Sequence, residues 1–463
     1  MGVAVSGWKL ARAVARTGQL GVVSGTGIDS VLVRRLQDGD AGGDVRRALD
    51  HFPLRSVAAA VIERFHQPRG RAPGQPYRLL PRPRHGESPH RSAWSMVAAF
   101  VEVFLAKHGH DRPIGINLLT KVQIPTLPTL YGAMLAGVDV VIMGAGIPRE
   151  IPRALDQLAD HRPATLRLDV TGSDPRSEVR LEFDPSHHFD PLPAPLLRPQ
   201  FLPIVSSHVL ATTLARKSNG RIDGFVIESP SAGGHNAPPR GTLRVDADGQ
   251  PIYGDRDTAD LAQIAALGLP YWIAGGQGHP GALAAARAAG AAGIQVGTLF
   301  AFCDESGFSD ALKRQVLEHV LAGDARVRTD PRASPTGYPF KIVEWNDAAG
   351  SAPDAHGTRH RHCDLGYLRE AYALADGSIG YRCPGEPVES WVRKGGSIEA
   401  TIGRRCLCNA LFAAADLGQT RPEGTTEPPI VTSGDELRTL GTFLRGRTHY
   451  SAADVVSYLL DGA

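Results

Sequence analysis

With 463 residues, the chain has room for one large barrel plus an accessory region, or for two to three ordinary domains. Its 50 basic and 48 acidic residues leave a formal charge of +2, which argues against a general nucleic-acid or membrane-surface role. Hydrophobic residues make up 42%, enough for a sizeable core, yet no apolar run approaches the ~20 residues that span a bilayer.

The N-terminus lacks a charged stretch followed by an apolar one, so export is not expected. The five cysteines, Cys303, Cys363, Cys383, Cys406 and Cys408, are too few and odd in number for a disulfide framework, so a reducing, cytoplasmic setting is expected. His360, His362, Cys363, Cys383, Cys406 and Cys408 invite a zinc reading. There is no CxxC pair, however, and a helix through Cys406-Leu407-Cys408 would put those thiols on different faces. No metal is expected. The arginines clustered between Arg82 and Arg91 lack interleaved aromatics and read as a solvated loop.

In chain order, Trp8, Leu10, Ala11, Val14 and Ala15 fall near helical spacing, with Ser6 as N-cap and Gly18 as the stop. Leu20 to Gly25 reads as a strand running into a Gly/Thr loop. A polar segment and an amphipathic helix (Val57 to Phe65) follow, then a Pro/Arg/Gly-rich excursion at about 67–92. A helix from Ala93 to Lys107 precedes a strand at Pro113 to Leu118 that carries Asn117. The helix Tyr131 to Ala136, the strand Val138 to Gly144 and the helix Pro152 to Leu158 come next.

Between 164 and 192 the period changes to two. Thr165 to Val170 and Glu178 to Phe183 flank Gly172-Ser173-Asp174-Pro175, which predicts an inserted hairpin. Phe201 to Val205 resumes the buried strand pattern, followed by a helix His208 to Lys217 and the apolar run Phe225-Val226-Ile227 ending at Glu228. Further units follow: helix Thr258 to Ala266, the strand segment Tyr271 to Gly276, helix Pro280 to Ala289 and the strand segment Gly293 to Thr298. Strands alternating with helices of ten to fifteen residues predict a parallel sheet with right-handed crossovers, best matched by a closed (β/α)8 barrel. The fold class is therefore α/β: a TIM-type barrel over 1–302, with insertions at about 67–92 and 164–192, and a mainly helical cap over 303–463. The tail segments Cys406 to Ala415, Gly434 to Leu444 and Ser451 to Leu460 are amphipathic.

The chemistry concentrates at strand ends. Ser229-Pro230-Ser231-Ala232-Gly233-Gly234-His235 follows a buried strand and leaves backbone N–H groups open to a planar or anionic ligand. His235 adds a group that exchanges a proton near neutral pH, or a histidine merely bonded to backbone. Gly275-Gly276 and Gly297-Thr298 end successive strands, where barrel enzymes commonly hold a phosphate. Asn117 caps a helix or bonds a ligand ring edge. Glu228, a carboxylate at a buried strand end, requires a partner: a ring N–H, Lys121 or Arg240.

Ser231-Ala232-Gly233-Gly234-His235, Ile273-Ala274-Gly275-Gly276 and Gln295-Val296-Gly297-Thr298, in this order and spacing, resemble the nitronate monooxygenase (2-nitropropane dioxygenase) family. The resemblance covers most of residues 1–302. Cys406-Leu407-Cys408-Asn409 and Val431-Thr432-Ser433-Gly434 are similar to its longer bacterial members. It implies FMN as cofactor, with Ser24, Gly25, Asn117, Glu228, Ser231, Gly233, Gly234, Gly275, Gly276, Gln295, Val296, Gly297 and Thr298 around it and His235 as the catalytic residue. Three departures stand out: Glu228 replaces a frequent Gln; the family's first barrel strand is not found at the start of this sequence, so either the sequence begins late or the barrel is completed differently; and the hairpin and the long segment after Phe302 exceed a minimal member.

The resemblance implies oxidation of alkyl nitronates with O2 to carbonyl compounds and nitrite. The alternative is an NAD(P)H-dependent trans-acting enoyl reductase of a polyketide or fatty-acid pathway, with an acyl carrier protein as partner. A phosphosugar or nucleotide barrel without flavin is the third reading. A small-molecule substrate and O2 are the expected partners, compatible with a homo-oligomer.

Overall fold

A computed structural model describes residues 2–174, 176, 178–344, 360–421 and 424–461. Pro175 of the expected hairpin turn lies outside these described residues, as does Met1. The strands in chain order are β1 (Gly21–Ser24), β2 (Ile114–Leu119), β3 (Val140–Gly144), β4 (Ala164–Arg167), β5 (Val170–Thr171), β6 (Arg180–Phe183), β7 (Gln200–Val205), β8 (Phe225–Glu228), β9 (Tyr271–Ala274) and β10 (Gly293–Gln295). Beyond them come β11 (Arg326–Asp330), β12 (Phe340–Glu344), β13 (Glu370–Ala373) and β14 (Ile379–Arg382). Seven strands, β1, β2, β3, β7, β8, β9 and β10, form one curled parallel sheet in sequential order, as the α/β barrel reading expects.

Strand geometry explains both the apolar runs and where the polar residues point, because successive side chains alternate between faces. Val141 and Met143 of β3 and Phe225 and Ile227 of β8 pack outward into the large core shared with the helices. Val140, Ile142, Leu202, Val226 and Ala274 point inward and pack together inside the curl. Both faces are thus covered, which is why these strands read as continuous hydrophobic runs. The same parity carries Glu228 inward two residues after Val226. It carries Asn117 inward between Ile116 and Leu118, which pack outward.

Two helices were read as a polar segment: Ile28–Gln37 and Asp44–Leu49. The first buries Asp29, Ser30, Arg34 and Gln37 together with Ile28, Val31, Leu32, Val33 and Leu36, so polar and apolar residues share its buried surface and no one-sided apolar stripe marks it. Asp29 is bonded by Arg91 Nη2 at 2.8 Å and by the Tyr367 hydroxyl. Arg91 is therefore a buried partner at the start of helix Pro89–Lys107, and only its upstream neighbours Arg82 and Arg84 are exposed. Ser6 does not cap the first helix, Trp8–Arg16. Its hydroxyl donates to Val22 O at 2.6 Å, and the cap position is Gly7.

The expected insertion is present as β4 against β6, antiparallel with Ala164 opposite Phe183. The short β5 leaves this hairpin and pairs in parallel with β13, Val170 opposite Ala371. The C-terminal region contains antiparallel pairs, β11–β12 and β13–β14, beside its helices. Among the described residues no strand joins β1 to β10. The helix Ala452–Leu460 packs against Trp8–Arg16 on one side of that opening and against helices Ala282–Ala288 and Thr298–Ala301 on the other. Val455 and Leu459 join Leu10, Val14, Leu299 and Phe302 in a second hydrophobic cluster.

Candidate active site

A cavity of about 500 Å3 opens at the carboxyl ends of the strands, within the size range of small-molecule and cofactor sites. Ten of the proposed site residues line it: Asn117, Glu228, Gly233, Gly234, His235, Gly275, Gln295, Val296, Gly297 and Thr298. Ser24, Gly25, Ser231 and Gly276 do not. Ser24 is buried at the end of β1, and the lining there is taken over by Thr26 and Gly27. Gly25 is pinned to Asn117 O by its own N–H at 2.8 Å. The Ser231 hydroxyl turns to Ser229 Oγ at 2.6 Å, and a Cβ placed on Gly276 would lie 3.2 Å from it.

The C-terminal region supplies walls that sequence reasoning did not assign. Gly234 N–H donates to Thr432 Oγ1 at 3.0 Å, and Lys341 N–H donates to Gly234 O at 2.9 Å. Gly434 N–H donates to Thr298 Oγ1 at 3.0 Å, which leaves that hydroxyl its own proton to give. A Cβ on Gly233 would come 2.7 Å from the Ser433 carbonyl carbon, so glycine is required where the two loops touch. The motif Val431-Thr432-Ser433-Gly434 was the available signal, but nothing in the sequence indicated that it faces Gly233.

His235 is held on three sides. Its Nε2 lies 2.7 Å from Ser334 Oγ, its ring packs edge-on against Phe340 at 4.9 Å between centroids, and its backbone bridges to Phe340. Ser334 Oγ in turn accepts the Thr336 N–H at 3.2 Å. Burial pushes the imidazole down to about 4, so it is neutral at pH 7. Burial pushes the Glu228 carboxyl the other way, up to about 7. Neither Lys121 nor Arg240 pairs with it among the described residues; the Arg240 backbone serves Asp257 instead. A carboxyl protonated near neutrality has an O–H to donate, as the amide of a glutamine has an N–H. Among the described residues the Asn117 side chain makes a long contact from Nδ2 to Ile142 O, 3.4 Å.

Where a phosphate is expected, Gly297 has no heavy atom within 4 Å of a built Cβ, and the first N–H groups of the following helix lack intrahelical partners. Gly275 and Gly276 take positive φ of 83° and 71°, a conformation that favours glycine and forms the turn after β9. Glu436, missed from sequence, lines the same end and accepts the Gly278 N–H; burial raises its carboxyl. With these open backbone groups and the Thr298 hydroxyl at one end, and Asn117 and Glu228 along the wall, the residues present fit a flavin mononucleotide.

Residues 200–330 match the family model described as nitronate monooxygenase. A carboxyl-CoA dehydrogenase of an octahydroindene substrate from Mycobacterium tuberculosis is 33% identical over 101 residues, 22% of this chain. The match spans about a quarter of that relative's length, 25%. Among solved structures, FabK from Thermotoga maritima is similar at 14% identity and a TM-score of 0.49, covering 100% of this chain and 90% of that one. Nitroalkane oxidase from Streptomyces ansochromogenes is similar at 15% identity and 0.48, covering 100% and 93%. The matched segment runs from β7 through β11 and contributes Glu228, the 233–235 loop and the turns at 275 and 297.

Proposed function

We propose that the chain is an FMN-dependent oxidoreductase of nitronate monooxygenase type, oxidising alkyl nitronates with O2 to carbonyl compounds and nitrite. The observation that supports this most is convergence: His235 shares one cavity with the glycine-bearing ends of β8, β9 and β10 inside the matched domain. On this reading residues 1–302 carry the cofactor and 303–463 cover it. The flavin, when bound, supplies the redox chemistry, and the protein supplies geometry and charge. Asn117 and protonated Glu228 would bond the ring edges, while Gly275 and residues 295–298 would hold the phosphate end. His235 meets the substrate. An entering nitronate anion offsets the burial that keeps the imidazole neutral, so His235 takes up a proton and neutralises the anion as it binds.

The test is a substrate panel under air with FMN-loaded protein. Nitrite release with O2 uptake from alkyl nitronates, and slow bleaching by NADPH under anaerobic conditions, are expected. The CoA-thioester name of the curated relative favours a second reading, an enoyl reductase that meets its substrate on CoA or an acyl carrier protein. Rapid anaerobic bleaching by NADPH, reversed by an enoyl thioester and without nitrite formation, selects it. A colourless protein that takes up no FMN defeats both.

A further inference from the structure

Between β11 and β12 the chain turns through Ser334-Pro335-Thr336-Gly337, directly behind His235. The sequence favours that turn, because proline presets φ at its second position and glycine takes its fourth, here with φ 82°. Gly337 N–H donates to Ser334 O at 3.3 Å, and Thr336 N–H donates to Ser334 Oγ at 3.2 Å. Ser334 is fully buried, whereas Thr336 is half-buried. Among the described residues the other ring nitrogen of His235, Nδ1, makes no hydrogen bond, so it is the one left for a ligand in the cavity.

The bonding capacity of Ser334 ties its proton to the state of the imidazole. A serine hydroxyl has one proton to give and two lone pairs to offer. The Thr336 N–H occupies one lone pair. One lone pair and the proton remain for two neighbours, His235 Nε2 at 2.7 Å and Thr336 Oγ1 at 2.8 Å. When Nε2 is bare, Ser334 donates to it and accepts from the Thr336 hydroxyl. When Nε2 carries a proton, Ser334 accepts that N–H and gives its own proton to Thr336 Oγ1. The half-buried Thr336 hydroxyl can then turn its proton toward solvent. The change needs only the rotation of two hydroxyls. A carboxylate in this place would favour the charged ring, and a backbone carbonyl would hold Nε2–H in every state. The ring packs instead against Phe340 and Tyr338, and the Arg404 guanidinium reaches the Ser334 carbonyl rather than its hydroxyl.

We propose that Ser334 and Thr336 are positioning residues for His235, a reversible pair of hydroxyls behind Nε2 that lets the ring gain or lose a proton while Nδ1 meets the substrate. This rests on the reading of His235 as the group that meets the substrate. An anion entering the cavity draws a proton from water onto the ring, and no buried N–H or O–H is left unpaired.

The test compares Thr336→Val with Thr336→Ser in the FMN-loaded full chain. Valine keeps the shape and the backbone N–H but removes the second hydroxyl, so a proton on Nε2 would strand that of Ser334. Serine keeps the hydroxyl and loses only a methyl. Heteronuclear NMR of the histidine ring nitrogens, with His235→Gln identifying the signal, reads the proton state with and without acetate, an anion of nitronate shape that brings no electrons. The wild type and Thr336→Ser should gain a second ring proton with acetate, and Thr336→Val should not. For alkyl nitronates, kcat/KM should fall roughly tenfold in Thr336→Val and be largely restored in Thr336→Ser, the scale of one stranded buried donor. Equal ring signals in the wild type and Thr336→Val overturn the proposal. So does Thr336→Ser impaired as much as Thr336→Val, because shape would then be the cause. A wild type that forms no nitrite from nitronates refutes the proposed activity instead, and the ring signals still decide the role of the pair.

Discussion

Glu228→Gln isolates the electrostatics of the cavity wall. Burial raises the carboxyl from its ordinary 4.5 to about 7, with no ion pair to Lys121 or Arg240 to offset it. The unfolded chain releases this proton near 4.5 while the native chain keeps it until about 7. Stability is therefore lost as pH rises through that window and is level above it. The interval corresponds to a loss of roughly 3 kcal/mol at most. Glutamine has nearly the same shape, keeps a donor and never ionises. The variant should match the wild type at pH 4.5 and exceed it increasingly toward pH 8, by up to roughly 3 kcal/mol. Denaturant unfolding of the cofactor-free proteins at pH 4.5, 6, 7 and 8 measures the difference. A difference independent of pH would refute the reasoning, because it would mean that the carboxylate is solvated or paired in the native chain.

Three further outcomes are expected. His235→Ala should retain FMN yet lose about 10²–10⁴-fold in turnover, the usual worth of a positioned proton-transfer group; steady-state assays with unchanged turnover would remove His235 from the chemistry. Gly233→Ala should destabilise the protein by about 1–3 kcal/mol, because the new methyl meets the Ser433 backbone at 2.7 Å; thermal melts equal to wild type would show that the 432–434 loop yields freely. Glu436→Gln removes a carboxylate that borders the phosphate end, so FMN titration should show tighter binding by several-fold to about tenfold, or about 1 kcal/mol. Weaker binding would place the phosphate elsewhere.

The sequence by itself determined the repeating strand–helix grammar and drew attention to the residues at strand ends. Asn117 and Glu228 stood out as polar residues at strand ends, and glycines marked the turns at 233, 275 and 297, because these signals are local; which face the two side chains take was decided by the packing of the sheet. It also located the hairpin β4–β6, whose alternation is confined to a few residues. Other features escaped because their causes lie far along the chain. The helix Ile28–Gln37 buries Asp29 among apolar residues, and its partners are Arg91 and Tyr367, 62 and 338 residues away. The tertiary structure alone decided that Ser334 engages His235 and that Thr432 to Gly434 seal the cavity. It also decided that the helix Ala452–Leu460 stands at the opening between β1 and β10. The pH at which Glu228 and His235 titrate was likewise set by enclosure, a property of the folded surroundings that no residue type carries alone.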